Sequence, residues 1–368
     1  MESNNSEEFL QRIKRIPLSI PILSSLLCIY GFILLYSAAN GSIEPWAKKQ
    51  IIAFCIFMPI SVLIALIDLR IIYQLPYLLY FITLIMLVIV EFTGKSAMGA
   101  TRWLNLGIIT IQPSELVKIS LVLMLAKYFH ESTKYNLPEY NIILPIIASL
   151  IPIALVIKQP DLGTGIIALI VMVIIFFIAG KPLFYFVVSG ILSLAALPIF
   201  WYMLHDYQKS RVLTFINPER DPLGTGYNII QSKIAIGSGG LFGKGLFSGT
   251  QGHLSFLPEY QTDFIFAFLT EELGFIGGII LIIMYSMLIA SCLSVAMHCK
   301  SKFATLVTVG ITTLFFAHVF INIAMVMGLL PVVGVPLPLL SYGRTMMGSM
   351  FIGFGLIMNM SVNRYNNV

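Results

Sequence analysis

Charged residues are scarce in this chain: they occupy 11% of 368 positions, whereas 58% are apolar. Soluble domains carry about 25% charged residues, so this composition excludes an ordinary soluble domain. The net charge of +5 is spread among separate loops, which excludes the clustered basic face of a nucleic-acid binder. The composition therefore directs attention to the membrane.

Cysteine and histidine are also rare, with four and five residues. The cysteines form no CxxC pattern and lie in or at the ends of apolar runs, so we expect packing residues rather than disulfides. The histidines have no ligand spacing, which disfavours a zinc enzyme, and no Gly-x-Ser-x-Gly or Ser/His/Asp pattern indicates a hydrolase. These residues are Cys28, Cys55, Cys292, Cys299, His130, His205, His253, His298 and His318.

What the chain has is long apolar runs. Runs of roughly 17–25 residues suffice to cross a hydrocarbon core of about 30 Å as helices, and lipid leaves helices as the only option for runs of this type. The sequence predicts an all-α, polytopic membrane protein with about ten transmembrane helices and one large extracytoplasmic loop. The candidate spans are 18–37, 51–67, 72–90, 114–130, 141–157, 163–180, 184–204, 264–293, 303–326 and 345–362.

Loop charges predict the orientation of these spans. Assigning both termini to the cytoplasm puts ten Lys and Arg residues in or beside cytoplasmic segments and six in the short loops on the other side, as the positive-inside rule favours. Residues 1–17 show no cleavable signal and would form a cytoplasmic N-terminal tail. Residues 18–366 would form a single transmembrane domain that includes an extracytoplasmic loop, 205–263.

The 205–263 loop ends in Asp263, an acid immediately before a new apolar run. A carboxylate at a membrane surface, facing a loop with Arg211, Arg220, Lys233 and Lys244, suits chemistry on an anionic, lipid-linked substrate. The competing interpretation is a helix N-cap, for which Asp is well suited. Both interpretations stay open on this residue alone.

Ionisable residues within or beside apolar spans are further candidates, because burying them is costly. Glu115 and Lys118 are three residues apart and share a helix face, so they indicate either a functional pair or a self-neutralising ion pair. Lys158 and Asp161 form a second acid–base pair, with an interfacial anchor and turn as the alternative. The Gly-rich stretch 237–245 lacks the residues of a P-loop, and either loop flexibility or amides that approach a phosphate would explain it.

Several motifs together resemble the SEDS family (shape, elongation, division, sporulation). The resemblance runs almost end to end and is closer to the elongation, rod-shape-determining branch than to the division branch. The motifs that carry it are the run 217–240, Leu257-Pro258-Glu259, Thr262-Asp263-Phe264-Ile265-Phe266, Glu271-Glu272-Leu273-Gly274, Arg102-Trp103, Gln112-Pro113-Ser114-Glu115, Gln159-Pro160-Asp161-Leu162-Gly163-Thr164, Pro336-Leu337-Pro338 and Ser341-Tyr342-Gly343.

The resemblance implies a ten-helix peptidoglycan glycosyltransferase that polymerises lipid II during cell-wall elongation and releases undecaprenyl pyrophosphate. It implies a class B penicillin-binding transpeptidase as partner, together with the elongation machinery and membrane lipids, and no nucleic acid. It also implies Asp263 as the catalytic acid residue, and we expect a divalent cation (Mg²⁺ or Mn²⁺) and no organic cofactor. Candidates for substrate binding are Arg102, Glu115, Lys118, Asp161, Arg211, Arg220 and Lys233.

Two residues depart from the family pattern. Arg344 follows Ser341-Tyr342-Gly343 where the family has a second glycine, and His318 lies where glutamine is expected. An arginine at a helix start must find water, phosphate or an acid, so we expect Arg344 to point toward the outer interface or a cavity instead of lipid.

Two other classes of function would use the same features. A lipid II flippase could use the same cations and the Glu115–Lys118 pair, and a non-catalytic scaffold could activate the transpeptidase through its helices alone. Neither needs a base at the outer surface, so the position of Asp263 favours the enzyme.

Overall fold

A computed structural model describes residues 12–93, 95–97, 100–105, 110–135, 142–204, 206–220, 224–254 and 256–365. Within these residues the chain is helical apart from a small three-stranded antiparallel sheet, β1 to β3. The strands are β1 (Lys95–Ala97), β2 (Ala100–Asn105) and β3 (Thr110–Ile111).

The helices follow the apolar runs closely. They are α1 (Ser19–Ala38), α2 (Ala47–Leu66), α3 (Leu69–Gln74), α4 (Pro76–Thr93), α5 (Pro113–Lys134), α6 (Ile143–Lys158), α7 (Leu162–Ile178), α8 (Leu183–Met203), α9 (Asp206–Ile216), α10 (Thr225–Ser238), α11 (Thr250–His253), α12 (Ile265–His298), α13 (Lys302–Val326) and α14 (Arg344–Val362).

Each of the ten predicted spans coincides with one of these helices. Five helices in the described part of the chain are long and apolar enough to cross a membrane, namely α1, α2, α12, α13 and α14, and four shorter apolar helices lie in α4, α6, α7 and α8. The tenth, α5, carries five charged side chains and lies buried along most of its length. The protein is an all-α, multi-pass membrane protein, as the sequence predicts.

Polar contacts between helix ends define two ends of the bundle. At the end where α12 begins, Lys158 Nζ forms an ion pair with Glu91 at the end of α4 (2.5 Å). At the opposite end, Lys302 Nζ donates to Thr133 Oγ1 and to the Ala179 carbonyl, both at 2.9 Å. We call these the Asp263 end and the opposite end.

Helices α13 and α14 form the centre of the bundle, since 72% and 89% of the residues in an 18-residue apolar stretch of each helix are buried. Close packing there depends on small residues, which let helix backbones approach in a membrane. A Cβ on Gly310 would lie 2.6 Å from Val122, and one on Gly355 would lie 2.7 Å from the Ser61 carbonyl. The outer helices present apolar side chains outward, such as Leu192 at 63% exposure, where lipid would lie.

The predicted packing role of the cysteines is confirmed for two of the four. Cys28 and Cys292 are buried, Cys299 is half-buried and Cys55 is exposed on the outward face of α2. All four are free thiols.

The described part of the loop between α8 and α12 contains more helix than its glycine content suggests. Its described part contains α9, α10, α11 and a short 3₁₀ turn, Pro218–Arg220. Helix α10 packs against α12, and Ser232 Oγ donates to the Val326 carbonyl at the end of α13 (2.9 Å). The loop is therefore a small helical layer over the Asp263 end of the bundle.

Candidate functional site

Asp263 lies half-buried in a turn that leads directly into α12. The turn is tied back on itself, because Thr262 N and Phe264 N both donate to the Glu259 carbonyl (3.0 and 3.3 Å). It is also tied to the bundle, since Asn322 Nδ2 on α13 donates to the Asp263 carbonyl (2.8 Å). The backbone that carries the carboxylate is therefore fixed from two sides.

The irregular segment 331–343, between α13 and α14, forms the wall beside Asp263. A Cβ on Gly334, which has a φ of +71°, would lie 3.5 Å from Asp263 Oδ2. Asn322 Nδ2 also donates to the Val335 carbonyl (2.7 Å), and Ser341 Oγ donates to the Thr262 carbonyl (2.5 Å). The same few side chains thus hold both the wall and the Asp263 turn.

This segment reaches into the helix bundle. Tyr285 Oη on α12 donates to the Pro338 carbonyl (2.5 Å), and Gly31 on α1 packs against the backbone of Leu339 and Leu340. Gln50 Nε2 donates to the Ser341 carbonyl (3.0 Å). Non-helical backbone is tolerated at membrane depth only where protein or a wet cavity satisfies it, and these contacts supply such partners.

Asp161 lies on the other side of the wall. It caps α7, where Thr164 N donates to Oδ1 (3.3 Å), and its Oδ2 accepts from Gln112 Nε2 (3.4 Å). Gly163, two residues on, packs against Val333 and Val335 of the wall. The wall therefore brings the Gln112 and Asp161 motifs to the same end of the bundle as Asp263.

Glu115 and Lys118 form a buried ion pair near the start of α5. Lys118 is 1% exposed, and its Nζ donates to Glu115 Oε1 (2.8 Å) and to His318 Nε2 (2.7 Å). Glu115 Oε2 accepts from Ser349 Oγ on α14 (2.9 Å). Because the lysine donates, His318 accepts through Nε2, which puts a proton on Nδ1 of the neutral ring. His318 thus serves as the acceptor that the expected glutamine would supply.

The predicted cations are less closely grouped. Lys233 is exposed on α10 and its Cε and Nζ pack against Gly328 in the turn after α13. Arg211 lies half-buried on α9. Arg102 is in β2 and Arg220 in the 3₁₀ turn, but the side chains of both lie outside the described part of the chain.

Sequence reasoning missed how the Gly-rich stretch is held. Lys244, one of the loop cations, forms an ion pair with Glu271 (2.6 Å), and Glu271 Oε1 also accepts from Thr250 N (2.8 Å). Glu272 Oε1 accepts from Ser37 Oγ (2.6 Å) and from Phe247 N (3.0 Å), with His253 Nε2 at 2.9 Å. Two carboxylates thus clamp the loop onto α12 and α1.

The start of α12 distinguishes two expectations from the length of its apolar run: either its first two turns lie in a water-accessible cavity, or the span begins near Leu273. Residues 265–272 are 0–5% exposed and packed under the loop, which excludes the first alternative. Gly274 then kinks the helix with a φ of +68°, and Gly243 packs against the backbone of 272–274. The acid pair within the apolar run and the nearby Lys244 and His253 were the signal that could have indicated this contact.

A groove of about 410 Å³ opens beside α2 and α14 at the Asp263 end. Its walls are mainly apolar, and it carries two cations, Lys49 and Arg344. Arg344 is exposed there, which agrees with the expectation that it faces an interface or cavity. Ser349 lines this groove and donates to Glu115, so it connects the groove to the buried Glu115–Lys118 pair. The apolar lining includes Ile52, Ala53, Ile56, Phe57, Ile111, Leu116 and Ile352.

Comparison with known proteins identifies the family. The cell cycle protein family of FtsW, RodA and SpoVE matches residues 17–366. Peptidoglycan glycosyltransferase MrdB of Escherichia coli (strain K12) is 42% identical over 99% of this chain and 98% of its own. Stage V sporulation protein E of Bacillus subtilis (strain 168) is 37% identical over 77% of this chain and 76% of its own.

Solved structures agree with the sequence relatives. A chain from a peptidoglycan synthase complex, solved in work on the coordination of polymerization and crosslinking, is 32% identical with a TM-score of 0.80, and 94% of this chain and 97% of that chain are covered. The rod shape determining protein RodA of Thermus thermophilus is 26% identical with a TM-score of 0.70, with 94% and 96% covered. The match over nearly the whole chain and the matching fold show that this protein belongs to the FtsW, RodA and SpoVE family.

Proposed function

We propose that this protein is a peptidoglycan glycosyltransferase that polymerises lipid II during cell-wall elongation, with Asp263 as its catalytic carboxylate. The observation that carries the proposal is the setting of Asp263. Its backbone is fixed by Asn322 and its carboxylate lies against Gly334, at a membrane end of the bundle and within the family's Thr-Asp-Phe motif. Relatives named as peptidoglycan glycosyltransferases over nearly the full chain support the activity.

Asp263 would act as general base. The acceptor's sugar 4-hydroxyl must lose its proton as it attacks the donor's anomeric carbon, and a positioned carboxylate accelerates such a step by about 10²–10⁴-fold. The bond between that carbon and the donor's pyrophosphate breaks as the new glycosidic bond forms. The proton goes to Asp263, and the leaving group departs as lipid pyrophosphate.

The leaving pyrophosphate carries negative charge that cations stabilise. Lys233, Arg211, Arg220 and Arg102 remain the candidates for this role, and Lys233 lies exposed on the helical layer over the Asp263 end. Lys118 is buried and already donates to Glu115 and His318. In this arrangement Lys118 would stabilise the helices beside the groove, with Glu115 as its counter-ion.

A divalent cation would also stabilise the negative charge of the leaving pyrophosphate. The described residues contain no group of three or more His, Cys, Asp or Glu side chains that could hold a metal. Mg²⁺ often binds through one or two carboxylates plus substrate phosphates, and Asp263 fits that partial role. Such an ion would neutralise the pyrophosphate, while Asp263 and the wall at Gly334 orient the acceptor.

The groove between α2 and α14 fits the polyprenyl chain of a lipid-linked substrate. Its lining is apolar along the helices, and Lys49 and Arg344 lie on it, an arrangement that matches an apolar tail joined to a pyrophosphate. The groove would hold the lipid while the sugar reaches Asp263 at the same end of the bundle.

We expect Ile52→Trp and Ile56→Trp to raise the KM for lipid II several-fold with a smaller change in kcat. Both side chains line the groove and are half exposed, at 51% each, so an indole there narrows the channel without opening the core. Polymerisation of lipid II at varied concentration measures the effect. The matched control, Leu192→Trp on the outward face of α8, should leave KM unchanged, and equal effects in all three variants would contradict the groove assignment.

The flippase and scaffold alternatives explain less. A flippase would use the groove and the buried pair but has no need of a carboxylate fixed between Asn322 and Gly334. A scaffold needs neither. The enzyme accounts for the Asp263 turn, the wall and the groove together.

A class B transpeptidase is the proposed partner, because glycan strands must be crosslinked after they are made. A structural relative is a chain of a peptidoglycan synthase complex, which supports an assembly of this kind. The elongation machinery would then direct the pair along the cell.

The proposed orientation puts both termini in the cytoplasm and Asp263 outside the bacterial inner membrane. In a background without Cys28, Cys55, Cys292 and Cys299, single cysteines at positions 233 and 242 should react with an impermeant thiol reagent added to intact cells. Cysteines at 134 and 300 should react only after lysis. Phe242 is 78% exposed, so its label reports topology without loss of the Lys244–Glu271 pair. Labelling of 134 or 300 from outside would contradict the orientation.

A further inference from the structure

A second pocket lies at the opposite end of the bundle, far from Asp263. Helix α12 begins two residues after Asp263 and ends at His298, and the 24 residues after its Gly274 kink span about 36 Å at 1.5 Å per residue. The pocket occupies about 240 Å³ and is lined by Pro17, Ser19, Ser291, Ser294, Val295, His298, Ser361 and Arg364.

The lining combines hydroxyl donors with two basic side chains. Four serines line it together with His298 and Arg364, and no carboxylate is among the lining residues of the described chain. Arg364 Nε is buried and makes no hydrogen bond in this structure. A buried, unpaired guanidinium nitrogen is costly, so a site that presents one is suited to an anion with several acceptor oxygens.

His298 and the start of α1 add to the same chemistry. His298 Nδ1 lies 2.7 Å from the Ser294 carbonyl and therefore donates to it, which leaves Nε2 open to a ligand. Helix α1 starts at Ser19 without a side-chain cap, and the Ile20 amide in its first turn donates to the Pro17 carbonyl (3.1 Å). Lys14 and Arg15 are exposed just before it, which makes the local field positive.

The surroundings of the pocket indicate which anion. Leu18, Leu293 and Met297 directly neighbour lining residues in the sequence and are 66%, 41% and 78% exposed. Polar lining bordered by outward apolar side chains matches an amphiphile whose phosphate enters the pocket while its acyl chains lie along α1 and α12. Basic pockets between transmembrane helices bind anionic lipid headgroups in this way.

We propose that this pocket binds the phosphate headgroup of an anionic membrane lipid, in the leaflet opposite the one that Asp263 faces. Arg364 would form a charge-assisted hydrogen bond to the phosphate through Nε, and the serine hydroxyls would donate to its remaining oxygens. The bound lipid would bridge α1, α12 and α14 at an end of the bundle that has no part in the transfer reaction. The proposal stands independently of the proposed function.

Native mass spectrometry of the purified full-length chain in a neutral detergent tests the pocket. Titration with phosphatidylglycerol should give one retained lipid, and phosphatidylcholine, which has no net charge, should be retained less. Arg364→Gln should weaken retention at least about tenfold, the loss expected for one charge-assisted hydrogen bond. Ser291→Leu, which narrows the pocket and keeps every charge, should weaken it comparably, whereas Lys134→Gln at the same end of the bundle should not.

An excess of inorganic phosphate distinguishes the two possible ligands, a lipid phosphate and a free phosphate ion. Retention of phosphatidylglycerol in its presence identifies the lipid, and full displacement identifies the free ion as the ligand of a true phosphate site. Equal retention by the wild type, Arg364→Gln and Ser291→Leu would overturn the proposal, and Arg364 and His298 would then only complement the carboxyl ends of α14 and α12. If Arg364→Gln fails to fold, Ser291→Leu alone decides.

Discussion

Asp263→Asn is expected to lower the rate of lipid II polymerisation by about 10²–10⁴-fold while the protein remains folded. An amide keeps the size of the side chain but cannot take the proton of the acceptor hydroxyl, and general-base assistance accounts for a factor of this order. The turn itself should persist, because its contacts to Asn322 and Ser341 involve backbone carbonyls of Asp263 and Thr262. Asp263→Ala should abolish activity with membrane insertion and partner binding intact.

Glu259 provides the matched control. It lies in the same turn, and its carboxylate accepts from Thr262 Oγ1 (3.0 Å), so Glu259→Gln changes a neighbouring acid without touching the proposed base. We expect its rate to fall less than tenfold. Near wild-type turnover of Asp263→Asn with a lowered melting temperature would mean that Asp263 is a structural cap, for which a loss of about 1 kcal/mol is typical.

Lys118→Met is expected to destabilise the protein by about 3–5 kcal/mol, because it leaves the Glu115 carboxylate buried without a counter-ion. Glu115 would keep only its bond from Ser349 (2.9 Å). Thermal unfolding in detergent measures the loss, with the exposed Lys134→Met as control. The double variant Glu115→Gln/Lys118→Met should recover most of the stability, since it removes both charges together.

The double variant also separates two roles for Lys118. In the arrangement described here the lysine is buried and supports the groove, so the double variant should polymerise lipid II within about tenfold of the wild-type rate, because it removes both charges together and a lost hydrogen bond contributes only about 1 kcal/mol. A double variant that is stable and inactive would instead support the hypothesis from sequence that Lys118 contacts the pyrophosphate during the reaction.

Much of the fold could be predicted from the sequence because the membrane imposes it. An apolar run long enough to span the bilayer must be helical, and each predicted span coincides with a helix. The start of α5 could also be predicted, because Pro113 and Glu115 in the first turn are local signals of a helix start. These predictions depend on neighbouring residues alone.

The contacts that build the site could not be predicted from the sequence, because they join residues that are far apart along the chain. Lys158 was grouped with Asp161 because the two lie three residues apart in the sequence, yet Lys158 forms an ion pair with Glu91. Lys244 was counted among the loop cations that face Asp263, but a buried Glu271 on α12 neutralises it. The path of segment 331–343 into the bundle depends on Tyr285, Gly31 and Gln50, on three different helices, and has no local signature.

Polymerisation by purified components tests the central claim most directly. The purified chain would be mixed with lipid II and with a partner transpeptidase whose own crosslinking site has been inactivated, so that any polymer consists of uncrosslinked glycan strands. The account predicts long strands with the wild-type chain and none with Asp263→Ala at equal amounts of folded complex. Failure of the wild-type complex to make strands, while the same preparation moves lipid II across vesicle membranes, would contradict the enzyme and favour the transporter.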